Sequence, residues 1–350
     1  MLTQLRLREF RIFSELVFEP DAGANFIVGC NAHGKTSLLE AACLLLRLQS
    51  PRTNSPSECV RFGERGFAID GRHSGRHLAL KFENRLKHFV LDSKPQAAAS
   101  DYLAVARVAW ISNSDLDLVK GGASFRRRYL DFLGVQSLPG YLKSLRSYER
   151  ALRSRNALLK EGRPWQEISA FDAPLCEAGD QLLSARILLC KDLAPRVSAA
   201  YQEISDSQES LEICYKSGAE TPMQAALDGA RDDDSRLRVT TRGPHRDDLL
   251  LMLNGKPASI FASEGQQRSS ALGLKLAQSL QLAEGCGQSP LYLIDDVFGE
   301  LDARRRHNLL SALPSKAQKL ITTTSLGWLS ESPWPARIFE LSQGKLRNAE

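Results

Sequence analysis

Gly29, Gly34, Lys35 and Thr36 fall at the spacing G-x-x-x-x-G-K-[ST], with Cys30, Asn31, Ala32 and His33 between the glycines. The run Ala24 to Val28 before them is largely apolar, and Leu38 to Leu46 after them is apolar again. A strand, a glycine loop and a helix in that order form a phosphate-binding loop, whose backbone N–H groups meet an anion at a helix N-terminus. On this reading Gly29, Asn31, Gly34, Lys35, Thr36 and Ser37 bind a nucleoside triphosphate. The loop amides cradle the β-phosphate, Lys35 bridges the β- and γ-phosphates, and the Thr36 hydroxyl ligates Mg2+.

A second set lies far down the chain. Leu291 to Ile294 reads as a short buried strand and ends in Asp295-Asp296. Carboxylates there suit Mg2+-dependent phosphoryl chemistry, Asp295 holding the metal through water and Asp296 orienting or deprotonating the attacking water. Between the two sets, Ser263-Glu264-Gly265-Gln266-Gln267-Arg268 precedes a helical pattern over 269–283. A hydroxyl, N–H groups and a positive dipole end make Ser263, Gly265 and Gln266 a second anion cradle. One nucleotide does not need two such cradles. The arrangement resembles that of ABC-type ATPases, in which this signature element caps the γ-phosphate held by the other subunit of a dimer. Gly299-Glu300-Leu301-Asp302 resembles their D-loop, which lines the same seam.

These residues need a scaffold, and the pattern along the chain predicts one. Apolar and charged positions alternate from Leu2 to Phe18, which predicts a strand pair continuing into the strand before the glycine loop; a second β-rich stretch runs from Phe67 to Leu91. Between about 115 and 201 the spacing changes to long helices over 125–133, 138–160 and 170–201. Strand signals return at 211–215, 237–240, 249–253 and 260–261, the polar stretch 220–236 reads as a loop, and helix–strand alternation closes the chain. The expected architecture is an α/β ATPase head, residues 1–114 and 206–350, split by a helical arm over 115–205. With 350 residues, 43% of them hydrophobic, a large core is available and a disordered chain is excluded. No run approaches the length of a bilayer span and the N-terminus lacks a signal-type apolar segment, so the expected location is the cytoplasm, with no membrane partner. Seven cysteines without a C-x-x-C pair indicate neither a disulfide framework nor a zinc ribbon, and are expected to be reduced, buried small residues. A net charge of +5 permits a polyanionic partner without requiring one.

Across nearly its whole length the sequence resembles the RecF family, relatives of the SMC and Rad50 heads. The resemblance is carried by Leu5-x-Leu7-x-x-Phe10-Arg11, by Gly34 to Ala41, and by Asp115 to Gly122 with Arg126-Arg127-Arg128-Tyr129-Leu130-Asp131. Gly243-Pro244-His245-Arg246-Asp247-Asp248-Leu249, Ala262 to Arg268, and Tyr141, Tyr148 and Arg155-Asn156-x-Leu158-Leu159 complete it. Departures are Ala32 and His33 where the family usually has Gly and Gln, Cys30 for Pro, Glu264 for Gln, and Asn113-Ser114 for Pro-Glu. Thr322-Thr323-Thr324 stands where ABC proteins often carry a switch histidine, which implies slow hydrolysis.

The resemblance implies an ABC-type (Rad50/SMC-like) P-loop head that binds ATP with Mg2+ and forms an ATP-dependent homodimer. It further implies binding to single- and double-stranded DNA at gaps or junctions, a weak DNA-stimulated ATPase, and action with RecO and RecR proteins to place RecA on single strands. Arg126, Arg127, Arg128, Lys143, Arg146, Arg150 and Arg153 are the candidate DNA-backbone face. No stacking platform or groove-reading motif accompanies them, which argues against sequence-specific recognition. His245 is expected at a subunit or nucleotide interface, Arg11 near the nucleotide or on the surface, and Tyr141 and Tyr148 in packing. Two alternatives are an ATPase subunit of another ABC system, such as a transporter, and a nucleotide-gated scaffold without productive hydrolysis.

Overall fold

The computed structural model describes residues 1–349 apart from 54, 97, 98, 206 and 285–288. Cys286 therefore lies outside the described residues. Strands in chain order are β1 (Leu2–Phe10), β2 (Phe13–Phe18), β3 (Ala24–Val28), β4 (Gly66–His73), β5 (Arg76–Glu83), β6 (Leu86–Leu91), β7 (Lys94–Pro95), β8 (Val108–Ser112), β9 (Leu211–Lys216), β10 (Asp248–Leu253), β11 (Lys256–Pro257), β12 (Leu291–Asp295), β13 (Lys319–Thr323), β14 (Ala336–Ser342) and β15 (Lys345–Asn348). Two compact units result: Met1–Asp115, Glu203–Asp206 and Lys275–Glu350 form the first, and Leu116–Gln202 with Ser207–Leu274 the second.

The first unit holds two six-stranded sheets. One, in the order β2-β1-β4-β5-β6-β7, is antiparallel; the other is β15-β14-β3-β13-β12-β8, parallel from β14 to β8. Strands β3, β8, β12 and β13 are buried almost without interruption, as parallel strands covered on both faces must be. Helix Lys35–Arg47 packs on strands of both sheets, and its residues Leu38 to Leu46 are all buried. That explains why the sequence there is apolar all round rather than striped. The N-terminal strand pair does not continue into the strand before the glycine loop: β1 and β2 lie in the antiparallel sheet and β3 in the parallel one.

The second unit contains the helices Ala123–Ser137, Tyr141–Glu161 and Asp172–Ser205 up to Gln202, and the three-stranded sheet β11-β10-β9. Pro139 and Gly140 delay the second helix by three residues from its expected start. The boundary at 205 is replaced by one near 274, and buried arginines give the physical reason. Arg155 is 0% exposed and reaches Asp172 at 2.7 Å, Asp234 at 2.7 Å and Thr240 at 2.8 Å. Arg186 binds Asp131 at 2.7 Å and Asp247 at 2.6 Å, and Arg126 binds Asp248 at 2.6 Å. Removing one partner of such a pair leaves a buried charge and costs about 3–5 kcal/mol, so residues 231–248 are held to the helices rather than to the head.

Three local expectations change. Residues 220–236 are not a loop but contain helices Met223–Gly229 and Arg231–Leu237, with Met223 and Leu227 buried and Asp232 to Asp234 in a first turn, where the helix dipole favours acids. Residues 238–240 form no strand, and Ile260 and Phe261 end a one-turn helix, Ala258–Phe261, 73% and 64% exposed. Cys30 and Cys214 are exposed, whereas Cys43, Cys59, Cys176 and Cys190 are buried; all six are free thiols.

His245 is tied into the second unit by both ring nitrogens. Its Nε2 donates to the Thr240 carbonyl at 2.8 Å and its Nδ1 accepts from the Tyr148 hydroxyl at 2.6 Å, while Tyr141 and Tyr148 are buried. Burial pushes the imidazole down to about 4, against about 6.5 in an unfolded chain. Between those values the unfolded chain binds a proton that the folded one refuses, so stability falls as pH drops from about 6.5 toward 4. Urea unfolding at pH 7 and pH 5 should differ by on the order of 1–2 kcal/mol through this residue, and His245→Gln should narrow the gap; an equal gap in the variant would contradict the assignment.

Candidate functional site

The glycine loop joins β3 to its helix at the carboxyl edge of the parallel sheet, where ligands collect in open α/β sheets. Two glycines are required by geometry. A Cβ on Gly29 would sit 2.2 Å from the Leu341 carbonyl oxygen, and Gly34 has φ +99° with a Cβ position 2.6 Å from Ile12 Cδ1. Lys35 Nζ donates to the carbonyls of Gly29 at 2.7 Å and Cys30 at 3.0 Å, which holds the ammonium over the loop. The first amides of the helix have no intrahelical acceptor, as at any helix start, and converge on the same place. This cradle fits a phosphate chain.

Asp295 closes the site from the neighbouring strands. In-register pairing sets Asp295 opposite Thr322 of β13 and Ser112 of β8, and β13 separates β12 from the loop strand β3. Asp295 Oδ1 accepts from Thr36 Oγ1 at 2.9 Å and from Thr322 Oγ1 at 2.7 Å. Burial holds this carboxyl above the ordinary range, opposed by the Thr322 and Thr36 hydroxyls, raised further by Asp296 and lowered by the Arg52 charge. Thr36 and Asp295 are thus adjacent oxygens suited to Mg2+, the threonine directly and the aspartate directly or through water. Among the described residues no group of three or more His, Cys, Asp or Glu could hold a metal alone. Any cation here must take most of its oxygens from a nucleotide and from water.

Asp296 has φ +55°, its N–H donates to Thr322 Oγ1 at 3.0 Å, and its carbonyl accepts from Asn113 Nδ2 at 2.9 Å. Asn113 is one of the departures noted above, and its role is to fix this strained backbone. Arg11 is anchored on the helix that follows the loop. It forms a two-toothed ion pair with Glu40, 2.9 and 2.8 Å, and Glu40 is fully buried on the loop helix and also binds Ser50 and Arg52. Sequence reasoning missed Glu40 and Arg52, and marked Asn113 and Thr322 only as departures, without their contacts to Asp296 and Asp295. Glu40 sits mid-helix in an apolar run, the one signal that could have marked it as paired.

In the second unit, Ser263 caps helix Glu264–Glu284: its hydroxyl accepts from Gln266 N at 3.3 Å, and Gln266 Oε1 accepts from Ser263 N at 2.7 Å. Ser263 is exposed, while the Gln266 side-chain amide also donates to Glu209 at 2.5 Å. The cationic set divides. Arg126 is corrected out of any surface face, because its guanidinium is buried on Asp248 and the carbonyls of Gly121 and Leu118. Arg127 is half-buried and donates to the Asp247 carbonyl at 2.8 Å, and Arg128 is half-buried. Lys143, Arg146, Arg150 and Arg153 are exposed, spaced along one face of helix Tyr141–Glu161.

Ala32 takes φ +66°, a left-handed conformation that disfavours a Cβ. That strain is about 1–2 kcal/mol, against about 0.4–1 kcal/mol of extra unfolded-chain entropy for glycine. Ala32→Gly should therefore stabilise the protein by roughly 0.5–1 kcal/mol in denaturant titration; a loss of stability would contradict this backbone.

Residues 4–102 match a family model described as an AAA domain. A "DNA replication and repair protein RecF" of Streptococcus suis (strain 05ZYH33) is 34% identical over 363 residues, covering 100% of both chains. One of Myxococcus xanthus (strain DK1622) is 34% identical over 349 residues, 94% of this chain and 91% of that one. A solved structure of the recombination mediator protein RecF with ATPrS in the RecFOR pathway superposes with a TM-score of 0.89 at 28% identity, over 100% of this chain and 98% of the other. An SMC head bound to the C-winged helix domain of ScpA, at 13% identity and TM-score 0.57 over 99% and 96%, shares the fold alone. An ABC-type, SMC-like P-loop head of this build, matched end to end by such relatives, has one placement: the chain belongs to the RecF family of DNA replication and repair proteins.

Proposed function

We propose that this chain binds ATP with Mg2+ through Gly29, Asn31, Gly34, Lys35, Thr36, Ser37 and Asp295, and dimerises around two nucleotides. Bound in that state, it clamps DNA at single-strand gaps or single-strand/double-strand junctions. The observation that carries the reading is the convergence of the Thr36 and Thr322 hydroxyls on one carboxylate oxygen of Asp295 beside the glycine loop. Mg2+ supplies charge neutralisation at the β- and γ-phosphate oxygens. Lys35 neutralises the same oxygens, and Asp296, held by Thr322 and Asn113, orients water for attack. Threonine rather than histidine at 322–324 makes turnover slow.

Ser263, Gly265 and Gln266 of one protomer complete the site of the other. Support comes from the exposed Ile260 and Phe261 just before Ser263, large apolar side chains of the kind that interfaces cover. Solved relatives described as RecF with ATP and with ATPrS support the nucleotide. DNA is held by phosphate contacts to Lys143, Arg146, Arg150 and Arg153, a tract of about 15 Å along the helix. By kinship with a recombination mediator of the RecFOR pathway, RecO- and RecR-type proteins are the partners in loading RecA, and the cytoplasm is the place of action.

Sedimentation with ATP and gapped DNA tests the composite site. Lys35→Met should lose ATP-dependent dimers through lost binding, and Ser263→Arg should bind ATP as a monomer but fail to dimerise. Mixed together, they form one composite site with both lesions and one with neither, so part of the association should return. Full dimerisation of Ser263→Arg alone, or no association in the mixture, would count against sites shared between subunits.

A further inference from the structure

A pocket of about 360 Å3 opens at the other end of the parallel sheet from Asp295, where β8, β12 and β13 begin. Five-residue strands put roughly 13 Å or more between it and the nucleotide edge, so it is no part of that site. Arg107, Lys316, His73, Gln318 and Ser289 are among the residues lining it, and none of the described lining residues is Asp or Glu.

Two groups in its wall have polar atoms without partners. His73 is 7% exposed and its Nδ1 has no hydrogen-bond partner. Arg107 Nε is likewise buried and unpaired, although Nη1 is anchored on the carbonyls of Leu103 at 3.1 Å and Ala106 at 3.3 Å. Gln318 cannot serve them, because its amide is spent on Leu2 and Asp21 at 2.7–2.8 Å. A buried polar group left unpaired is rare and unfavourable, and a guanidinium fixed by backbone carbonyls has no carboxylate of its own here. A planar fork of donors with an exposed ammonium nearby matches an oxyanion. The volume lies at the small end of small-molecule sites, and excludes a folded partner.

We propose that this pocket is a second anion site, independent of the glycine loop, that takes the oxyanion head of a small molecule, phosphate or carboxylate, between Arg107, Lys316 and His73. The full chain should be titrated calorimetrically with inorganic pyrophosphate and with citrate, both as wild type and as Lys35→Met, which disables the competing glycine loop. One equivalent of at least one anion should bind to Lys35→Met, and the wild type should bind it at this site as well, in addition to any taken up by the glycine loop; pyrophosphate alone in Lys35→Met assigns phosphate, citrate alone assigns carboxylate, and either sustains the site. Arg107→Ala should weaken binding about tenfold or more, and Lys316→Glu, at an exposed position where folding is not at stake, should do the same. Absence of binding up to about 10 mM in Lys35→Met, or affinity unchanged by both pocket variants, would overturn the proposal.

Discussion

Asp295 accepts two hydroxyl hydrogen bonds on one oxygen, from the helix that follows the glycine loop and from the strand between. A carboxylate buried this far needs such partners, and they exist only if β3, β13 and β12 pair in one register. A slip of one residue would turn Thr322 to the opposite face of the sheet and leave Asp295 facing the loop with half its hydrogen bonds. Strands β3, β12 and β13 are buried along nearly their whole length, and the Asn25 side chain, which donates to the Lys319 carbonyl at 3.2 Å, ties β3 to β13. The site is thus a consequence of the core.

A different interaction governs the second unit. Arg126, Arg155 and Arg186 are buried and each is answered by aspartates from residues 231–248, so the segment that carries Gly243 to Leu249 is a clasp on the helices. This reassigns residues that look functional in sequence. His245, Arg126 and Asp247 serve the architecture, while the exposed cations of helix Tyr141–Glu161 remain available for a polyanion. Buried ion pairs of this kind are weak arguments for stability but strong ones for which segments move together.

Legibility in the sequence followed the range of the physics. The glycine loop and the Asp295 strand rest on contiguous residues and local backbone rules, and both appear where the pattern places them, whereas the helix expected over 269–283 begins five residues earlier, at Glu264, so that Ser263 is its cap. Residues 220–236 were unreadable because their helices are stabilised by Asp234 reaching Arg155, a contact 79 positions away. Ile260 and Phe261 carry a strand-like apolar signal, yet they end a one-turn helix and are exposed, because composition alone does not bury a side chain. Ala32 left its backbone undetermined, since alanine is compatible with many conformations and only the loop geometry demands the left-handed one. The links Glu40–Arg11, Asn113–Asp296 and Thr322–Asp295 join distant positions that no spacing rule connects.

The central claim is that Asp295 and Thr36 form the metal side of a nucleotide site. Equilibrium binding of ATP, with and without Mg2+, to the wild type and to Asp295→Asn tests it most directly. The account predicts that Mg2+ strengthens binding to the wild type about tenfold or more and that the variant loses most of this gain while keeping its metal-free affinity. An identical Mg2+ dependence in the two proteins would contradict it.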